Sequence, residues 1–258
     1  MSSADDFAAL RARLHGWFDQ PLGRSLWAAE AARLRPTLSA LSTTVAIQIG
    51  DIGGTELLDS CGAPLKVLVE NPVSDLKNSV VAMPDALPFD SASVDLALLP
   101  HTLDFAEDPH EVLREVDRII SPEGHMVVLG FNPYSLWGLR RLFRRRSAPV
   151  IPWNAHFISL YRIKDWLKLL NFEISEGAMV YYRPPLCSQK AIDRLYLLDA
   201  IGNRWWPMAA AVYMLVARKR VEGMTPIRPR WRLRAVPDSS VPQATACGRA
   251  AARMRIVG

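Results

Sequence analysis

Cysteine is scarce: Cys61, Cys187 and Cys247 stand far apart in 258 residues, with no Cys-x-x-Cys pair. That spacing excludes a disulfide framework and a thiolate zinc site, so no metal is expected and a reducing cytoplasm is the natural compartment. Uncharged apolar runs are also lacking, none approaching the roughly 20 residues that cross a bilayer. The opening Met-Ser-Ser-Ala-Asp-Asp is acidic where a secretion signal would be basic, so a soluble chain is expected. Glycine is missing where a dinucleotide site needs it. Glycines at 50, 53 and 54 do not form Gly-x-Gly-x-x-Gly, which argues against a nicotinamide oxidoreductase.

What is present suits one α/β domain of roughly 200 residues with appendages. Half the residues are hydrophobic, which excludes a disordered or collagenous chain. The net charge of +5 is unevenly spread. From Arg218 to Gly258 ten Lys or Arg face only Glu222 and Asp238, so the rest of the chain is slightly acidic. Residues 222–258 carry four prolines and no apolar periodicity, and read as a basic, disordered extension that aids solubility or touches polyanions weakly.

Apolar spacing gives the organisation. Phe7, Leu10, Leu14, Trp17 and Phe18 predict one helix, and Leu22, Leu26, Ala29 and Leu34 a second that stops before Pro36. Residues 1–40 then form a helical cap. Strands are predicted at Val45–Ile49, Leu65–Val69, Ser79–Met83, Val94–Leu99, His125–Phe131, Phe172–Tyr182 and Ala209–Arg220, and helices at Thr55–Cys61, Pro109–Ile120 and Ser159–Leu170. Strands that are apolar throughout call for a sheet covered by helices on both faces, a doubly wound α/β fold over 41–221. Residues 132–157 interrupt this rhythm as a basic helical insertion.

In such a sheet ligands bind beyond the carboxyl ends of the strands. The turn after the first strand, Ile49-Gly50-Asp51-Ile52-Gly53-Gly54, lets backbone approach a ligand closely. The helix start that follows offers free N–H groups to an anionic or zwitterionic group. Twenty residues on, Glu70 closes the second strand with a carboxylate able to accept from ribose hydroxyls. Turn and acid together indicate a nucleoside-containing cofactor.

Residues 87–132 carry a more specific pattern. Leu87-Pro88-Phe89-Asp90 precedes Ser93-Val94-Asp95-Leu96. His101-Thr102-Leu103 and Asp108-Pro109 follow, then a helix ending Ser121-Pro122-Glu123-Gly124, then a strand ending Gly130-Phe131-Asn132-Pro133. In order and spacing over about 42–132 the chain resembles the class I S-adenosylmethionine-dependent methyltransferases, particularly the type 11 group. The resemblance implies a Rossmann-like sheet of seven strands with the last antiparallel, and S-adenosylmethionine as cofactor. It places Gln48, Gly50, Asp51 and Gly54 around the methionine part, Glu70 on the ribose and Asn71 beside the adenine. Asp85 and Ala86 fall at the adenine edge, Pro100 and His101 on the sulfonium side. Three positions depart from the family's usual residues: an acid at Gln48, a glycine at Ile52 and an acid at Met83. Gln48 loses a charge-assisted hydrogen bond of roughly 1–3 kcal/mol. A β-branched Ile52 at positive φ would be strained, implying a reshaped turn or a displaced cofactor.

Methyl transfer needs alignment more than acid–base help. A base matters only where the acceptor must lose a proton, and His101, beyond a strand end and with an ordinary pKa near neutrality, is the first catalytic candidate. Tyr134 and His156 bracket the insertion and are candidates to border an acceptor pocket. Within the insertion Arg140, Arg141, Arg144, Arg145 and Arg146 lie among Trp137, Leu139, Leu142 and Phe143. This pattern fits a solvated helix covering the sheet edge, or peripheral contact with an anionic membrane. Nucleic acid is the weaker option without an aromatic stacking platform. The expected function is methyl transfer from S-adenosylmethionine to a small, apolar or lipid-like acceptor. The alternative is a non-catalytic binding or regulatory protein that keeps the fold with weakened cofactor binding.

Overall fold

The structure is a computed structural model that describes residues 13–220, apart from Asp51, 53–55, 71–78, 145–151, Asn154, 187–193 and Tyr196. The basic extension expected at 222–258 lies outside the described residues. In chain order the elements are α1 (13–18), α2 (Pro21–Ala40), β1 (Val45–Ile49), α3 (Glu56–Asp59), β2 (Leu65–Glu70), β3 (Ser79–Val81) and β4 (Val94–Pro100). There follow α4 (Thr102–Phe105), α5 (Pro109–Ile119), β5 (Ile120–Phe131), α6 (Leu136–Arg144), α7 (Leu160–Leu169), β6 (Phe172–Val180), α8 (Leu197–Trp205) and β7 (Val212–Lys219).

The seven strands lie in the order β3-β2-β1-β4-β5-β7-β6. The first five run parallel and β7 is antiparallel to both β5 and β6. Order reverses between β1 and β4, so the carboxyl ends of those two strands flank the crevice where such sheets bind ligands. Apart from Val45, Asp95 and the last two residues of β7, the strands β1, β4 and β7 are buried. Edge strand β6 instead alternates. Two apolar clusters cover the faces, one built on α1 and α2, the other on α5 and α7. The N-terminal helices therefore form part of the domain core. Among the described residues no helix is long and apolar enough to cross a membrane.

Local chemistry fixes several boundaries. Asp108 caps α5 by accepting from the N–H groups of His110 and Glu111, with Pro109 in the first turn. Asp95 accepts from the backbone of Thr44 and Val45 and from Ser121, tying the start of β1 to β4. Burial opposes its charge, but those hydrogen bonds prevail and hold its pKa below the usual value. Two expectations fail. Helix α2 runs through Pro36 to Ala40, where Leu38 is fully buried and Thr37 bonds Glu176 of edge strand β6. Strand β5 begins at Ile120 and absorbs the Ser-Pro-Glu-Gly turn as an irregularity in its pairing with β4, with Glu123 at φ 66°.

Gly130 of β5 pairs with Tyr213 of β7, and a Cβ there would overlap the Tyr213 ring and hydroxyl. Tyr213 is fully buried and its ring has nowhere to go. Gly130→Ala is expected to lower stability by about 1–3 kcal/mol. A chemical-denaturation midpoint equal to that of the parent would refute this close packing.

Candidate functional site

The turn leaving β1 starts at Gly50, whose φ of 100° favours glycine. Its N–H donates to Val69 O at 2.9 Å and its carbonyl accepts from the buried Gln48 Nε2 at 2.9 Å. Ile52 is not among the positive-φ residues. Its side chain turns into the same apolar cluster as Leu14, Leu57 and Leu58. Ile52 therefore carries no positive-φ strain. Asp51, Gly54 and Asn71 lie outside the described residues.

Glu70 ends β2 with its side chain buried. Its Oε1 is 3.4 Å from Nε2 of His15 on α1, and its Oε2 has no hydrogen-bond partner among the described residues. Helix α1 brings Leu14, Trp17 and Phe18 into the core beside it. Further along, Asp85 and Ala86 are exposed in a tight turn closed by Ala86 N–H to Met83 O at 3.1 Å. That region is anchored to α5: Glu115 accepts from Leu87 N–H, and Arg118 donates to Glu115 and Leu87 O. The Arg118 hydrogen bond is the main reason Glu115 titrates below its usual value.

Pro100 closes β4, and His101 follows in the left-handed region at φ 54°. Its imidazole lies between two carboxylates. Nδ1 is 2.9 Å from Asp104 Oδ2 and Nε2 is 2.9 Å from Glu30 Oε1, all three side chains having no exposed surface. Asp104 Oδ2 also accepts from Phe131 N–H at 2.9 Å. The ring stacks on Phe131, centroids 4.1 Å apart. Burial disfavours the charged ring, but attraction to Glu30 and the bonds to both carboxylates outweigh it and raise the His101 pKa to about 9. Burial also raises that of Asp104. Sequence points to His101 as an acceptor-side base, yet both nitrogens are engaged and the ring as placed has none to offer an acceptor. It joins α2 to the carboxyl edge of the sheet.

Glu30 is the member sequence reasoning missed. Its signal was available: Leu22, Leu26, Glu30, Leu34 and Leu38 recur at i+4 along α2, and all are buried. A carboxylate in the middle of a leucine stripe must find a partner indoors. Of the two acceptor-side candidates, Tyr134 is exposed, with its N–H on Asn132 Oδ1. His156 has an exposed side chain, while its N–H donates to Asp104 O at 2.6 Å, which places its backbone against the buried cluster. The structure brings Gln48, Gly50 and Glu70 together at the ends of β1 and β2, and keeps Tyr134 on an outer rim.

The strand order, the antiparallel β7 and the Gly50–Glu70 pair at the carboxyl ends of β1 and β2 define a class I methyltransferase fold. A family profile described as a methyltransferase domain matches residues 61–128. The Escherichia coli protein YafS is 33% identical over 212 residues, 81% of this chain and 82% of that one. The chain belongs to the class I S-adenosylmethionine-dependent methyltransferases, type 11. Among solved structures, a Thermotoga maritima S-adenosylmethionine-dependent methyltransferase superposes with a TM-score of 0.60 at 18% identity, covering 83% of this chain and 98% of that one. A Haloferax volcanii protein solved with its methyltransferase activator gives 0.59 at 17% identity, covering 86% and 99%. At these identities the likeness concerns fold alone.

Proposed function

We propose that this chain transfers a methyl group from S-adenosylmethionine to a small acceptor at the carboxyl ends of β1, β2 and β4. Glu70 carries this reading: a buried carboxylate oxygen without a partner among the described residues is costly unless a ligand donor meets it. Ribose hydroxyls are donors of that kind. Gly50, which has no Cβ and whose N–H bonds Val69 O next to Glu70, supports the same placement, with Asp85 and Ala86 at the adenine edge and Gln48, Pro100 and His101 toward the sulfonium. Asp51, Gly54 and Asn71 enter the reading through the family pattern alone.

The cofactor, when bound, supplies a methyl group on an activated sulfonium leaving group. The chain's own part is positioning. Glu70 orients the ribose, and α1 and α2 exclude water from above. Glu30, His101 and Asp104 act as positioning residues that hold α2 over the sheet edge. No general base is required of them, while Tyr134 and His156 border the acceptor side. The closeness of His15 to Glu70 and the inward Ile52 favour a second reading, a binding protein in which the donor site is closed. Isothermal titration with S-adenosylmethionine and with its demethylated product separates the two. Saturable heat at micromolar to sub-millimolar ligand is expected, and no heat at millimolar ligand supports the second.

A further inference from the structure

Helix α6 is turned opposite to what its charge pattern suggests. Its arginines bind protein: Arg140 donates to Pro185 O at 2.9 Å and lies over the Trp153 ring, and Arg141 donates to Trp153 O and lies over Phe157. Trp137 is buried on the same inner side, its Nε1 on Arg183 O at 3.0 Å. The leucines face outward. Leu136, Leu139 and Leu142, at i, i+3 and i+6, are 51%, 50% and 66% exposed. An apolar stripe left in water gains nothing from folding and is retained at the expense of solubility.

The stripe has neighbours of the same kind. Trp205 and Trp206 are each 71% exposed, and Leu197, Met208 and Tyr134 are exposed as well. Hydrogen bonds tie these segments into one region. Asn132 Nδ2 donates to the carbonyls of Met208 and Ala210, and its Oδ1 accepts from Tyr134 N–H. Asp199 of α8 holds Tyr182 N–H and pairs with Arg183, whose carbonyl receives Trp137. Arg194 and Arg204, the latter next to Trp205, are exposed and supply positive charge at this corner.

We propose that the leucine stripe of α6 and the Trp205–Trp206 corner are a docking face for an anionic bilayer. Interfacial Trp and Tyr, an aliphatic stripe and flanking arginine are the combination that partitions into the headgroup region. RNA would use the charge but leave the leucines unburied. Tyr134 is shared with the proposed acceptor side, but the face is tested without it and stands or falls separately from methyl transfer.

The test is flotation of the full chain with phosphatidylcholine vesicles, with and without 30 mol% (roughly physiological anionic content) phosphatidylglycerol, for the parent, Leu139→Asp/Leu142→Asp and Trp205→Ser/Trp206→Ser. All four positions are exposed and outside the site, so circular dichroism and donor titration are expected to match the parent. Recovery with anionic vesicles is expected to fall at least about tenfold in each variant, and in the parent on neutral vesicles or in high salt. Absence of flotation in the parent, or flotation undiminished by the variants, overturns the proposal. So does a parent dimer that both variants convert to monomer, which makes the face a contact between copies.

Discussion

His101→Ala is expected to lower the stability of the folded chain by about 3–5 kcal/mol, because it leaves Glu30 and Asp104 as buried carboxylates with no cation between them. For a domain of this size the melting temperature falls by roughly 10 °C. Each carboxylate already has one buried oxygen without a partner among the described residues, Glu30 Oε2 and Asp104 Oδ1, so without the ring Asp104 keeps only its bond from Phe131 N–H. Glu30→Gln keeps the shape and removes one charge, and is expected to cost less. If His101→Ala unfolds at the parent's denaturant midpoint, the cluster does not hold α2 to the sheet.

The same cluster sets an alkaline limit. The His101 pKa is raised from the ordinary 6.5 to about 9, so the folded chain binds a proton that the unfolded chain releases. The stabilisation is complete below the unfolded value near 6.5 and is lost as pH rises through about 9, a change of about 3 kcal/mol. Asp95 and Glu115 act in the opposite sense. Their lowered values contribute stability above the usual carboxylate range, lost as pH falls through their folded values. Denaturation midpoints between pH 6.5 and 9.5 (about the span between the two values) are expected to decline in the parent and to flatten in His101→Ala. Parallel profiles would contradict a charged ring.

Glu70→Gln is expected to weaken binding of S-adenosylmethionine and of its demethylated product by at least about tenfold, and Glu70→Ala by about a hundredfold, since two charge-assisted hydrogen bonds are lost. Stability is expected to move the other way. Removing a buried charge with an unpartnered oxygen leaves the ligand-free Glu70→Gln chain at least as stable as the parent. A drop in stability with unchanged affinity would make Glu70 a structural residue paired with His15.

The sheet was legible in sequence because strands buried on both faces are continuous apolar runs, and α5 because Asp108-Pro109 caps it and Val112, Leu113, Val116 and Ile119 make its buried stripe. Features set by distant partners were not. Helix α8, with Gly202 inside it and Pro207 just beyond, lacks local helix signals and depends on Asp199 meeting Arg183 and Tyr182. The outward turn of α6 follows from the Trp153 and Pro185 carbonyls that receive its arginines, which no local spacing reveals. At the site, the turn at Gly50 and the acid at Glu70 were readable as a pair. That His101 is enclosed rather than open to an acceptor depends on Glu30, 71 positions away.

A crystal structure of the chain soaked with the demethylated product of S-adenosylmethionine tests the central claim most directly. The ribose hydroxyls are expected on the Glu70 carboxylate, with the His15 ring moved aside and the amino-acid end of the product against Gly50. Density showing His15 still on Glu70 and the product absent from that crevice at saturating concentration would contradict it.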